Sequence, residues 1–106
     1  MDKEQLKLAI NCSDLYSNSE KAILNELVRT SVDLVSVNSA KSLKEHTGLS
    51  TTTTYTALNS LKKRGVIISN IHEPNSYTLN QKDLSRLIEL YKTKFNYFSE
   101  KLPKTY

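Results

Sequence analysis

Cysteine, glycine and histidine are nearly missing from this chain, and each shortage closes off a class of chemistry. Cys12 is the single cysteine, which rules out a disulfide within the chain and a zinc ribbon built from cysteine pairs. It is expected to serve as a small, half-buried residue. His46 and His72 stand alone, with no second histidine or carboxylate at metal-ligand spacing, so no metal site is expected. Gly48 and Gly65 are the only glycines, and a glycine-rich phosphate loop cannot be made from them. No run approaches the roughly 18 successive apolar residues of a membrane span. The opening MDKEQLKLAIN carries acids and no long apolar core, unlike a secretory signal. Nothing in the sequence assembles an enzyme active site, so no catalytic residue and no cofactor are assigned. A reducing, cytoplasmic setting without a membrane partner is the expectation.

What is present is an ordinary apolar fraction, 38%, with six tyrosines and two phenylalanines in 106 residues. That is enough chain for one domain with its own core. The net charge of +4 is unevenly spread. Residues 1–40 hold four basic and six acidic residues, whereas residues 41–66 hold Lys41, Lys44, Lys62, Lys63 and Arg64 against Glu45 alone. A local basic excess is the footprint of a polyanionic partner.

Hydrophobic spacing divides the chain into elements. Leu6, Ala9 and Ile10 suggest a short amphipathic helix. Ser17 followed three residues later by Glu20 is a capping box, and Ile23, Leu24, Leu27, Val28 and Val35 continue at helical spacing. A helix from about Asn18 to Leu34 is predicted, with a very short strand at Val35 to Val37. Ser39 is placed to cap a brief helix carrying Ala40 and Leu43 and ending near His46. Gly48 then supplies the left-handed residue that often follows a helix, and Leu49 is suited to plug the gap between two helices. Ser50 caps a helix from about Thr51 to Arg64 with Thr54, Ala57, Leu58 and Leu61 inward. Two short helices about a glycine turn make a helix-turn-helix. After Gly65 the period drops to two: VIISNI and YTLN read as strands of a hairpin whose turn is HEPNS. Asn80 starts a last helix, and Leu84, Ile88, Tyr91, Phe95, Phe98 and Leu102 recur along it as an a/d stripe.

The stretch GLSTTTTYTALNSLKKRGVI resembles the recognition segment of winged helix-turn-helix domains in MarR-like and related prokaryotic or mobile-element regulators. Gly48, Leu49, Ser50, Ala57, Leu58, Leu61, Gly65, Val66 and Ile67 carry the resemblance. It implies an α+β, mostly α fold: a three-helix core plus a β-hairpin wing over residues 17–80, preceded by an extension over 1–16 and followed by a long dimerisation helix over 81–102. Lys44 stands where that family usually has a small residue, and its stem is expected to pack with the ammonium outward. The wing segment NIHEPNSY contains no lysine or arginine.

In such a fold the start of the second helix enters the major groove. Ser50, Thr51, Thr52, Thr53, Tyr55, Thr56 and Asn59 would then face double-stranded DNA. Threonine offers a hydroxyl to phosphates or base edges and a methyl to thymine, and Asn59 can pair with an adenine edge. Lys41, Lys62, Lys63 and Arg64 are expected to hold phosphates. The stripe from Leu84 to Leu102 is expected to join two copies, since a dimer presents two such helices to a symmetric site. The resulting expectation is a homodimeric, nucleoid-associated transcriptional regulator with no assigned effector. Two alternatives stay open: a plasmid or phage replication or partition factor, and a winged-helix protein-interaction module.

Overall fold

Five helices begin at five short polar side chains, each taking up backbone N–H groups that have no partner within the helix. α1 (Lys3–Asn11) starts at Asp2, which accepts from the Glu4 N–H. α2 (Asn18–Thr30) starts at the reciprocal Ser17–Glu20 box. α3 (Ala40–Thr47) and α4 (Thr51–Lys63) start at Ser39 and Ser50. α5 (Gln81–Lys101) starts at Asn80, whose side-chain oxygen accepts from the Lys82 and Asp83 N–H groups. Strands β1 (Val35–Val37), β2 (Ile67–Asn70) and β3 (Glu73–Leu79) complete the computed structural model, which describes residues 2–101 and the side chains of residues 2–94.

The architecture is α+β and mostly helical, with one antiparallel sheet in the order β1-β3-β2. Register is fixed by Val35 opposite Thr78 and Ile68 opposite the same Thr78. Helices cover one side of the sheet. The core gathers Leu6 and Ile10 of α1, Ile23, Leu24 and Leu27 of α2, Leu43 of α3, Leu58 and Leu61 of α4, and Leu84 of α5. Residues 2–16 are thus less an extension than a wall of the core, because α1 packs against both α2 and α5. Among the described residues no helix is long and apolar enough to cross a membrane.

Three local expectations are corrected. α2 stops at Thr30 rather than Leu34, while the very short strand expected at Val35 to Val37 is present. The hydroxyls of Thr30 and Ser31 turn back onto the Glu26 and Val28 carbonyls at 2.8 Å each, and Ser31 turns extended. Such side chains compete with the backbone pattern that would continue the helix. The Lys3 ammonium donates to the Arg29 and Ser31 carbonyls and satisfies that helix end from another element. Asp33 and Leu34 then take left-handed conformations, φ 51 and 66, in a two-residue turn closed by mutual bonds between Val32 and Val35. Positive φ at both central residues is what a tight hairpin with right-handed twist requires.

The second correction concerns the hairpin tip. Asn70 pairs with Glu73, so the turn is Ile71 and His72, and Pro74 lies inside β3. The Asn70 side chain accepts from the His72 N–H at 3.1 Å, a local bond that favours turning there. Pro74 sits at an irregular stretch of pairing, where its missing N–H is tolerated. Finally, the two-stranded wing is two thirds of a sheet, because β1 pairs with β3 across three residue pairs.

Candidate nucleic-acid interface

α3 is set in place by buried polar groups. Asn38 donates to Thr30 Oγ1 at 2.7 Å and to Ser36 Oγ at 2.8 Å, and Ser42 donates to Asn38 Oδ1 at 3.2 Å. The end of α2, strand β1 and the start of α3 are thereby tied at one point. The turn into α4 follows at Gly48, φ 74, with open space where a side chain would start. Its glycine is required by conformation and not by crowding. Leu49 packs against the core beside it.

The four threonines divide into two pairs. Thr54 is 1% exposed, and its hydroxyl donates to the Ser50 carbonyl at 2.8 Å. Thr53 is half-buried; its N–H donates to the Ser50 hydroxyl, which in turn donates to Thr53 Oγ1 at 2.8 Å. Ser50 and Thr53, expected to face DNA, are therefore engaged in the cap. Thr51 and Thr52 are exposed, and they continue into Tyr55, Thr56 and Asn59. The opposite face, Thr54, Ala57, Leu58 and Leu61, is buried as expected.

Lys41 and Lys44 stand three apart on α3 and are both exposed. With Thr51 and Tyr55 they line a cleft of about 160 Å³ between α3 and α4. Lys44, expected to pack its stem at the helix crossing, thus joins Lys41 at the surface; the i,i+3 spacing on α3 was the signal for it. Lys63 is exposed at the other end of α4, and Lys62 lies over the Tyr77 ring at 5.5 Å, a cation–π contact that leaves it exposed. Among the described residues Lys41, Lys44, Lys62 and Lys63 take part in no ion pair.

Arg64 differs from these lysines in having partners within the chain. Its guanidinium donates to Glu20 Oε2 at 3.1 Å and to the Leu15 carbonyl at 2.8 Å, and it stacks on Tyr16 at 4.7 Å. Ser60 donates to the same carboxylate oxygen at 3.0 Å. Burial alone would push the Glu20 carboxyl up, but the Ser17 backbone N–H, the Ser60 and Ser17 hydroxyls and Arg64 together hold it below the usual carboxylate range. This is a brace between the start of α2 and the end of α4. Arginine was legible as charge, whereas its partner lies more than forty positions away in sequence.

On α5, Leu84 is 0% and Ile88 7% exposed, both closed within the chain's own core. They are core residues and have no surface for a second copy, contrary to their expected place in a dimer interface. Tyr91 is partly buried against the same core. The side chains of Phe95 and Phe98, and Leu102 altogether, lie outside the described residues. Beside Tyr91 an apolar cleft of about 500 Å³ opens between α1 and α5, with Leu15 and Leu90 half-exposed on its walls.

The chain matches no protein-family model, no curated protein and no solved structure. Its function is therefore read from its own surface.

Proposed function

We propose that this chain is a winged helix-turn-helix protein that binds double-stranded DNA as a homodimer and regulates transcription. In this reading α4 enters the major groove, with Thr51, Thr52, Tyr55, Thr56 and Asn59 toward base edges and sugars. The observation that carries it is the bracketing of that uncharged, hydrogen-bonding face by exposed lysines that form no ion pair among the described residues, Lys41 and Lys44 before it and Lys62 and Lys63 after it. Lysines at the two margins suit phosphates, which position a protein on the duplex, and the short polar residues between them suit sequence reading. Both strands of the duplex backbone flank a helix lying in the groove, so cations at both ends of the face match that geometry.

The dimer rests on α5. Since Leu84 and Ile88 serve the core, pairing falls to the distal half of the helix, where Tyr91, Phe95, Phe98 and Leu102 continue the stripe in sequence. Two copies related by a two-fold axis would set two α4 helices about one DNA turn apart, or a multiple of it.

A salt-dependent titration on mixed genomic DNA fragments, with recovery of the bound sequences, tests the reading. Log affinity should fall linearly with log salt concentration, and the recovered fragments should share a short, two-fold-symmetric sequence. Absence of binding at low salt would remove DNA as the ligand. Sedimentation giving a monomer at tens of micromolar would remove the dimer and leave single-site DNA binding in place.

A further inference from the structure

The side of the sheet turned away from the helices carries aliphatic side chains that stay exposed among the described residues. Directly paired residues of antiparallel strands point to the same face. Val32 pairs with Val35, Val35 with Thr78, and Thr78 with Ile68. These four therefore form one row across the sheet, roughly 15 Å long at the usual strand spacing. Val37 shares the face two residues along β1, and Ile71 lies in the hairpin turn just beyond β2. Val32 is 74%, Val37 69%, Ile68 54% and Ile71 92% exposed, whereas Ser36 and Tyr77, pointing the other way, are buried.

We infer that this face is a docking surface for a second protein, one that presents an aliphatic segment flanked by lysine or arginine. Charge selects the occupant. Residues 32–37 and 67–79 contain Asp33 and Glu73 and no lysine or arginine. Asp33 lies at the β1 end of the row, in the Val32–Val35 turn, and Glu73 at the hairpin tip; both are exposed, and among the described residues neither is in an ion pair. DNA is repelled by such a rim. A second copy would bring the same two carboxylates against one another across a two-fold axis. Area gives the same answer: the patch is on the order of a few hundred Å², a size that is often functional, but short of the ~800 Å² per partner of a stable interface. A transient partner of opposite charge fits both facts. This surface is independent of the proposed DNA face, because the sheet packs its other side onto α2 and α4.

The test uses the full chain and a 14-residue amphipathic peptide of leucine and lysine, with a leucine and glutamate peptide of the same pattern as the control. Methyl and amide NMR shifts of Val32, Val35, Val37, Ile68 and Ile71 should move saturably with the lysine peptide and not with the control. Affinity should fall at least tenfold in Val37→Asn/Ile68→Asn, whose positions are exposed, and severalfold in Asp33→Asn/Glu73→Gln, which keeps the aliphatic row and tests charge even if the first variant misfolds. Three results would overturn the proposal: equal binding of both peptides, shifts confined to the cleft of Leu15 and Leu90, or concentration-dependent shifts of the same methyls without peptide, which would give the face to a second copy. Retained DNA affinity in Val37→Asn/Ile68→Asn is expected, so failure here leaves the DNA reading untouched and the reverse also holds.

Discussion

The two ends of α4 carry polar groups of similar sequence appearance and opposite employment. At the start, Thr51 and Thr52 project into solvent while Ser50, Thr53 and Thr54 close the helix cap. At the end, Lys62 and Lys63 stay exposed, whereas Arg64 is held by Glu20, the Leu15 carbonyl and Tyr16. In each case one subset maintains the element and the adjacent subset is left facing solvent. Residue type alone does not sort them. The sorting comes from angular position on the helix and from what the neighbouring element offers.

Substitutions on the two subsets should separate stability from binding. The largest effect is expected for Leu58→Ala, about 2 to 5 kcal/mol of unfolding free energy by denaturant titration, against no more than ~0.5 kcal/mol for Thr52→Ala on the outer face. Similar destabilisation by the two would erase the inward and outward division. Arg64→Ala should cost roughly 1 to 3 kcal/mol, because the Glu20 carboxylate is deprived of a charged donor, and should leave the salt slope of DNA binding unchanged. Tyr55→Ala and Asn59→Ala should keep the fold and lower specific DNA affinity by about 1 to 3 kcal/mol for each base edge no longer read; equal weakening on random DNA would assign them to the backbone. Lys44→Ala and Lys63→Ala should each flatten the log–log salt slope by about 0.9 per phosphate neutralised, with stability nearly unchanged. The smallest effect is in acid. Glu20 has a lowered pKa in the fold, so its contribution is full above the range where an unfolded glutamate titrates and is lost as pH falls through the lower folded value. Glu20→Gln should remove that component, seen as a flatter fall of thermal midpoint with decreasing pH.

Much of this frame was legible in the sequence, and the rest was hidden for physical reasons. Helix starts were legible at Ser17, Ser39, Ser50 and Asn80 because capping depends on residues within three positions. The inward stripe of α4 was equally local, being a matter of helical period. The end of α2 was misplaced because Val35 continues the spacing by coincidence, while the stop is set by the Thr30 and Ser31 hydroxyls and by Lys3 from another helix. Pro74 and Asn75 drew the hairpin turn too far along the chain, since the Asn70 side chain favours a turn at Ile71 and His72. Pairing of β1 with β3 and the Glu20–Arg64 brace depend on the meeting of distant segments. Periodicity carries no information about those.

The sheet brackets α3 and α4 in the chain. β1 and β2 are the two edges of one sheet, both bonded to β3, and the whole helical pair is the excursion of chain between them. It is fastened at Val37 on one side and Ile67 on the other. Lys41, Lys44, Thr51, Thr52, Tyr55, Thr56 and Asn59 contribute to neither fastening and not to the core. The excursion therefore behaves as an exchangeable cassette: its outer residues can be rewritten as a set, in evolution or by design, and the new surface will be presented at the same height and angle as the old one.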